Sequence, residues 1–323
     1  MAKAITIKKT GSSDNLAFED VPMPQAGPGE LIVRNTAIGV NFIDIYMRTG
    51  LYPLEMPAIL GKEGVGIVEE IGEGVTQFQP GDRVAYLTDS GAYATHTNAP
   101  AAMTLNVPDS VKDETAAAIL LKGLTVHMLV RQVYGLQAGD TALVFAAAGG
   151  VGSLLCQWAN YIGARVIGVV GSGEKTGLAK FHGATNVINR TDVDDIAVEV
   201  QKLTNNQGVN VVYDSVGKDT FTASLGSLSL RGMLVTYGNA SGPPPAIEPL
   251  ELSRRGSITL SRPTLFHYAT PDRIHAMADE LFAMTAQGAL KPPIPTTFVL
   301  EKAADAQDLL ETGTSTGALI LKP

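Results

Sequence analysis

The residues best suited to chemistry lie in the stretch Thr141-Ala-Leu-Val-Phe-Ala-Ala-Ala-Gly-Gly-Val-Gly-Ser153. Thr141 to Ala146 form a short apolar run, and after Gly152 the residues Leu154, Leu155, Trp158 and Ile162 recur at helical spacing. The pattern predicts a buried strand, a tight glycine turn and the opening of a helix. A dinucleotide needs this arrangement, because its pyrophosphate sits against free backbone N–H groups at a helix N-terminus. Ala147, Gly149 and Gly152 occupy the three positions of the G-x-G-x-x-G fingerprint, with alanine at the first. Gly149 lets the backbone approach the phosphates, and Gly152 lets the helix pack on its strand. Ala148, Gly149, Gly150, Val151 and Gly152 are therefore candidate cofactor-binding residues. An ordinary glycine turn carries the same letters, so the surrounding elements have to decide.

Those elements alternate between strands and helices. Arg165 to Val170 reads as a second strand, Glu174 to Phe181 as a helix closed by Gly183, and Asn186 to Asn189 as a third strand. Ile196 to Leu203 is an amphipathic helix; Val209 to Tyr213, Gly232 to Tyr237 and Ser257 to Ser261 are the fourth, fifth and sixth strands. Alternation of this kind implies right-handed crossovers and a parallel sheet. Together with the glycine turn it predicts a doubly wound Rossmann domain, with its ligand at the carboxyl ends of the strands.

The end of the second strand discriminates between dinucleotides. An acid about 20 positions after the glycines would bond the adenosine ribose hydroxyls and repel a 2′-phosphate. The chain has Gly171-Ser-Gly-Glu-Lys175 instead. Gly171 falls where the acid would stand, Ser172 offers a hydroxyl, and Lys175 begins the next helix. A lysine at a helix start opposes the dipole, and a bound phosphate would explain its presence. Arg190, just past the third strand, can reach the same region. Each cation taken alone reads more readily as a solvated surface residue, and Glu174 points the other way, as an acid displaced by a few positions. The balance favours NADPH.

Net charge −8 and a pI near 5.2 argue against a nucleic-acid footprint, and no Lys/Arg cluster overrides them. Cys156 is the one cysteine, so neither an internal disulfide nor a cysteine-based metal site is possible; a buried inert thiol is expected. No signal-peptide core follows Met1, no run approaches the length and apolarity of a membrane span, and a cytoplasmic location is expected. A chain of 323 residues suits two domains. Residues 1 to about 100 differ in texture from the Rossmann half. Short segments at Ala4–Ile7, Glu30–Arg34, Gly64–Glu69 and Arg83–Leu87 are separated by turn clusters such as Gln79-Pro-Gly-Asp82. They predict a small, partly open β-barrel. A short helix is expected from Asn41 to Arg48, stopped by Gly50, and a long helical stretch from Asp113 to Val133 broken near Gly123. Beyond the sixth strand come a helix at 271–287, strands at 298–300 and 318–321, and a helix at 304–310, which return to the first domain. The domains are thus 1–121 with 264–323, and 122–263.

A β-barrel half followed by Ala146-Ala-Ala-Gly-Gly-Val-Gly152 and Gly171-Ser-Gly-Glu-Lys175 resembles the medium-chain dehydrogenase/reductase superfamily. Asn41-Phe-Ile-Asp-Ile-Tyr-Met-Arg-Thr-Gly-Leu-Tyr-Pro53, with Ser261-Arg-Pro-Thr-Leu-Phe266, is similar to the zinc-free NADPH:quinone oxidoreductases, the ζ-crystallin-like branch. The resemblance covers the whole chain. It implies a GroES-like catalytic domain, a Rossmann domain, a cleft between them, and a homodimer paired through the edge strand Ser257–Ser261. In the alcohol dehydrogenase branch a Cys, a His and another Cys hold catalytic zinc. Here Asn41 stands at the first position and Lys62, in Gly61-Lys-Glu-Gly64, at the second. Neither an amide nor an ammonium replaces a thiolate or an imidazole at tetrahedral zinc. His96, His127, His182, His267 and His275 show no metal spacing, and surface or capping roles are expected for each.

Without a metal, hydride transfer requires an acceptor that is already electrophilic, such as a quinone or an α,β-unsaturated carbonyl. The resemblance places Asn41, Tyr46 and Tyr52 at the nicotinamide end. Asn41 would donate an amide hydrogen, and the tyrosines would stack on a flat ring and donate phenolic hydrogens. Without the resemblance, Tyr46 reads as helix packing and Tyr52 as an exposed loop residue. Thr125, Ser215, Tyr237 and Asn239 are expected at helix or strand ends facing the cofactor. The expected activity is NADPH-dependent quinone reduction. The alternatives are an NADPH-dependent alkenal or enone reductase and, in another class, an NADPH-binding crystallin-like or RNA-binding protein. The acidic pI weighs against RNA.

Overall fold

The computed structural model describes all of residues 1–323. They form two compact units, one of residues 1–122, 270–286 and 292–323, the other of residues 123–269 and 287–291.

The first unit opens with β1 (Ala2–Ile7), β2 (Leu16–Val21) and β3 (Glu30–Val40), then helix α1 (Phe42–Thr49), β4 (Ala58–Ile59), β5 (Glu63–Ile71), β6 (Arg83–Leu87), β7 (His96–Pro100) and β8 (Thr104–Asn106). β3 and β5 pair antiparallel through two irregularities of register, at Ile32/Val33 and Asn35/Ala37. Such bulges bend a strand, and they suit the curvature of a barrel wall. Alternate side chains point inward, so Leu31, Val33, Ile38, Val68, Val84 and Tyr86 share one core. β2, β7 and β8 were not apparent from the sequence. His96-Thr-Asn-Ala-Pro100 has almost no apolar signal, yet it pairs along β3 from Arg34↔His96 to Glu30↔Pro100. Helix α1 starts where the Asn41 N–H donates to the Asp44 carboxylate at 2.9 Å. It ends at Gly50, whose φ of 84° is the left-handed closure that glycine adopts without cost.

Helix α2 (Asp113–His127) runs unbroken through Gly123 and continues as one wide π-type turn at Met128–Val133. The expected break at Gly123 is thus absent: intrahelical bonding tolerates a single glycine at a cost of about 1 kcal/mol. Asp113–Val133 is also long and apolar enough to cross a membrane by length and composition alone, contrary to the sequence expectation. Most of its apolar window, 72%, is buried inside the fold, as in a core helix.

The second unit contains β9 (Thr141–Val144), α3 (Gly150–Ile162), β10 (Arg165–Val170), α4 (Glu174–Phe181), β11 (Asn186–Asn189), α5 (Ile196–Leu203), β12 (Val209–Asp214), α6 (Phe221–Gly226), β13 (Leu228–Thr236), α7 (Pro249–Arg254) and β14 (Thr259–Ser261). Its six strands lie in the order β11-β10-β9-β12-β13-β14, all parallel. This is the doubly wound order, with the direction of winding reversing beside β9. The strands are buried on both faces, which explains why Leu143, Ile167, Val169, Val212 and Leu234 read as apolar runs rather than alternations. The sixth strand begins at Thr259, not Ser257, because Ser257 has a φ of 56° and cannot extend the ladder. His182 takes the second of its two expected roles, standing at the C-cap of α4, but it is buried rather than on the surface: its Nδ1 lies 2.9 Å from Gln157 Nε2, and burial holds its pKa below the usual value.

The chain then forms α8 (Ile274–Ala286), β15 (Thr296–Val299), α9 (Ala303–Glu311) and β16 (Leu319–Lys322). All four belong to the first unit. β16 lies between β15 and β3, completing a seven-stranded sheet with β5, β6 and β8 beyond β3 and β7 also paired to it.

Candidate active site

In the second unit the glycine turn has a definite construction. Gly149 N–H bonds Ala146 O at 2.9 Å, and α3 starts at the next residue. The first helical N–H groups, those of Gly150, Val151 and Gly152, have no carbonyl four residues back within the helix and are free in kind for an anion. A Cβ on Gly152 would lie 2.1 Å from Ala146 O, so only glycine allows this helix its approach to the turn. Ala146 carries the left-handed φ of 50°. That residue stands one place before Ala147, the first position of the fingerprint. Ala146 holds its strained geometry at a cost of about 1 kcal/mol.

The candidate phosphate residues gather at the carboxyl ends of β10 and β11. Arg190 N–H bonds Val170 O at 3.0 Å, and its Nε lies 3.6 Å from where a Cβ on Gly171 would stand. Ser172 O accepts Lys175 N–H at 3.2 Å, forming the turn that opens α4. Burial lowers the pKa of the Lys175 ammonium. Glu174 is exposed. Ser215, Tyr237 and Asn239 meet at the adjacent strand ends. Tyr237 N–H bonds Asp214 O at 2.8 Å, and a Cβ on Gly238 would lie 2.3 Å from Ser215 O. Asn239, with its amide oxygen toward Arg262, accepts from that guanidinium at 3.0 Å. Thr125 is a buried residue of α2.

Sequence reasoning missed the residue that shapes this edge. The Asp214 carboxylate is fully buried and accepts from Val216 N–H (2.8 Å), Gly217 N–H (3.1 Å), Thr220 Oγ1 (2.8 Å) and Ser224 Oγ (2.8 Å). It fixes the loop that carries Ser215. Its position as the last residue of an apolar strand was the available signal.

In the first unit Asn41, Tyr46 and Tyr52 come together around α1. The Tyr46 and Tyr52 rings are 5.3 Å apart in an edge-to-face arrangement, and Tyr52 N–H bonds Tyr46 O at 3.0 Å. Tyr46 is buried and Tyr52 half-buried, so Tyr52 is not the free loop residue that the sequence alone suggests. The Asn41 side chain is largely committed within the protein. Its Nδ2 donates to Glu63 Oε1 at 2.7 Å, and its Oδ1 accepts from Lys122 Nζ at 2.8 Å. One amide hydrogen remains, rather than the free amide expected. Glu63 lies in the Gly61–Gly64 turn, but its sequence context does not mark it, or Lys122, as a site residue.

These donors do not suit zinc. The Asn41 oxygen already faces an ammonium, and Lys62 is a second buried ammonium, 3.6 Å from Asp89 Oδ1, with its pKa lowered by burial. No group of three or more His, Cys, Asp or Glu residues is placed to hold a metal ion. Tetrahedral zinc requires thiolate, imidazole or carboxylate ligands.

Comparison with known proteins agrees with this construction. Residues 27–109 match the alcohol dehydrogenase GroES-like domain and residues 150–283 the zinc-binding dehydrogenase family. A quinone oxidoreductase of Pseudomonas aeruginosa is 45% identical, and a 2-haloacrylate reductase of a Burkholderia species is 40% identical. The alignments cover 100% of this chain and 100% and 99% of those proteins. The crystal structure of Escherichia coli quinone oxidoreductase complexed with NADPH superposes with a TM-score of 0.96 at 37% identity, covering 100% of both chains. Full-length identity of this order means that the chain belongs to the zinc-free quinone oxidoreductase family of medium-chain dehydrogenases/reductases.

Proposed function

We propose that the protein is an NADPH-dependent quinone reductase. The observation that carries this reading is the edge formed by Gly171, Ser172, Lys175 and Arg190, which presents two cations and no acid where a ribose-binding carboxylate would stand. It agrees with the NADPH bound by the E. coli relative. The α3 N-terminus and the residues Ala148 to Gly152 would hold the pyrophosphate; Lys175, Arg190 and Ser172 would hold the 2′-phosphate. Ser215, Tyr237, Asn239 and Thr125 would line the remainder. When bound, the dinucleotide supplies the hydride.

The protein's own contribution is orientation and donors. Tyr46 and Tyr52 offer ring faces for a planar acceptor, and their hydroxyls with the remaining Asn41 amide hydrogen can donate to an oxygen on which charge develops. The resemblance of the 2-haloacrylate reductase supports a second reading, reduction of an activated alkene by the same hydride chemistry. The family trait of a homodimer paired through β14 and a cytoplasmic location belong to the proposal as well. The test follows NADPH absorbance with a panel of quinones, enals and alcohols, with and without a chelator. Quinones should be reduced fastest, alcohols should not react, and chelation should leave the rate unchanged. Preference for enals over every quinone would favour the second reading.

A further inference from the structure

The buried charge pair behind Asn41 has no part in the reading above, and its geometry is specific. Glu63 is fully buried and Lys122 is 6% exposed, with Nζ 3.5 Å from Glu63 Oε1. The carboxylate is satisfied on both oxygens: Oε1 accepts from Asn41 Nδ2, and Oε2 accepts from Leu121 N–H at 2.8 Å. Space for it exists because residue 39 is glycine, where an added Cβ would sit 2.0 Å from Oε1. An isolated ion pair this deep is an expensive element, often replaceable by apolar residues without loss of stability. Its retention calls for a reason beyond stability.

The reason lies in the two ends of the Asn41 amide. An asparagine side chain has nearly the same shape when its oxygen and nitrogen are exchanged, and only its partners choose between the two. Here one end meets an ammonium, which has no acceptor capacity, and the other meets a carboxylate, which has no donor. Exchange would set N–H against ammonium and C=O against carboxylate, losing two charge-assisted bonds at once. We propose that Lys122 and Glu63 are positioning residues: they lock the Asn41 amide so that its second hydrogen always faces outward as a donor to the acceptor substrate. The proposal rests on the quinone reductase reading. Both would act through Asn41, which each of them contacts.

A double-mutant cycle tests it. Asn41→Ala, Lys122→Met and the combination are compared for NADPH-dependent turnover of 1,4-benzoquinone, with Tm recorded for each. Because Lys122→Met strands a buried carboxylate, Glu63→Gln/Lys122→Met, which removes both charges, serves as the companion in case the single variant does not fold. Lys122→Met, or the companion, should lower kcat about tenfold to a hundredfold, the range expected for misplacing a donor by about an ångström. Adding either change to Asn41→Ala should cost less than about twofold more, because residues acting through one group are not additive. Losses that multiply, or full activity in folded variants lacking Lys122, would overturn the positioning role. An Asn41→Ala protein with normal turnover would overturn it as well. Absence of quinone-dependent NADPH oxidation in the parent protein would instead refute the functional reading itself.

Discussion

Replacing Asp44 by asparagine should change how the stability of the protein depends on pH. Asp44 is the third residue of α1 and is wholly buried. Its Oδ2 accepts from Asn41 N–H at 2.9 Å and from the Tyr93 hydroxyl at 3.0 Å, while Oδ1 has no hydrogen-bond partner. Burial is the main cause that lifts its pKa from the ordinary 3.8 to about 7; the charge of Glu63 adds to the rise, and the two hydrogen bonds and Lys122 oppose it. Lys62 also feels its charge, and Arg48, four residues along the helix, is paired with Glu311. The folded protein therefore binds this proton more tightly than the unfolded chain does. The resulting stabilisation is complete below the unfolded pKa and is lost as pH rises through about 7. At 1.36 kcal/mol per pH unit, the gap is worth about 4 kcal/mol at most. An asparagine side chain here would keep the shape and the two accepted bonds but could not ionise. Urea unfolding followed by circular dichroism should show the Asp44→Asn protein gaining about 2–4 kcal/mol on the parent between about pH 4.5 and pH 8. Comparing the two proteins cancels the titration of carboxylates that do not interact with Asp44. A difference that is constant with pH, or that grows towards acid, would refute the reasoning.

Other outcomes follow from the same geometry. Lys175→Ala should weaken NADPH about 10- to 100-fold, the worth of a charge-assisted phosphate contact, and NADH less than about threefold; fluorescence titration with both nucleotides checks this. Equal losses would remove Lys175 from the phosphate site. Gly152→Ala forces a methyl group to 2.1 Å from Ala146 O and should destabilise by about 2 kcal/mol as well as weaken NADPH, whereas Gly149→Ala, with its nearest contact at 3.2 Å, should cost less stability. Thermal unfolding with and without nucleotide separates the two. Tyr46→Phe and Tyr52→Phe should lower turnover of 1,4-benzoquinone more than they weaken NADPH, and unchanged turnover in both would exclude a donor role for either hydroxyl.

The Rossmann half was legible because its signals are local. Apolar runs bounded by glycines place β10, α4, β11 and α5 at Arg165–Val170, Glu174–Phe181, Asn186–Asn189 and Ile196–Leu203, in agreement with the structure. The barrel was harder. Its strands β2 and β7 hold their place through backbone pairing with β1 and β3, which leaves little trace in side-chain periodicity. The short helix α6 and the helix α7 were missed for a related reason: six-residue helices carry too few turns to show a stripe. Asn41, Tyr46 and Tyr52 could be named from a motif, but the partners of Asn41 could not. Lys122 is 81 residues away in the chain, and nothing local distinguishes it from a surface lysine.

The pairing of Leu319 with Val40 has consequences for the birth of the molecule. β16 fills an interior place in a sheet whose other members, apart from β15, are made before residue 107. The ribosome must therefore deliver the entire dinucleotide-binding unit before the first unit can close its sheet. The Rossmann half can fold on emergence, while the earlier half waits with the flank of β3 uncovered. An uncovered strand invites other chains, so the interval before residue 322 emerges is when this protein has most need of a chaperone.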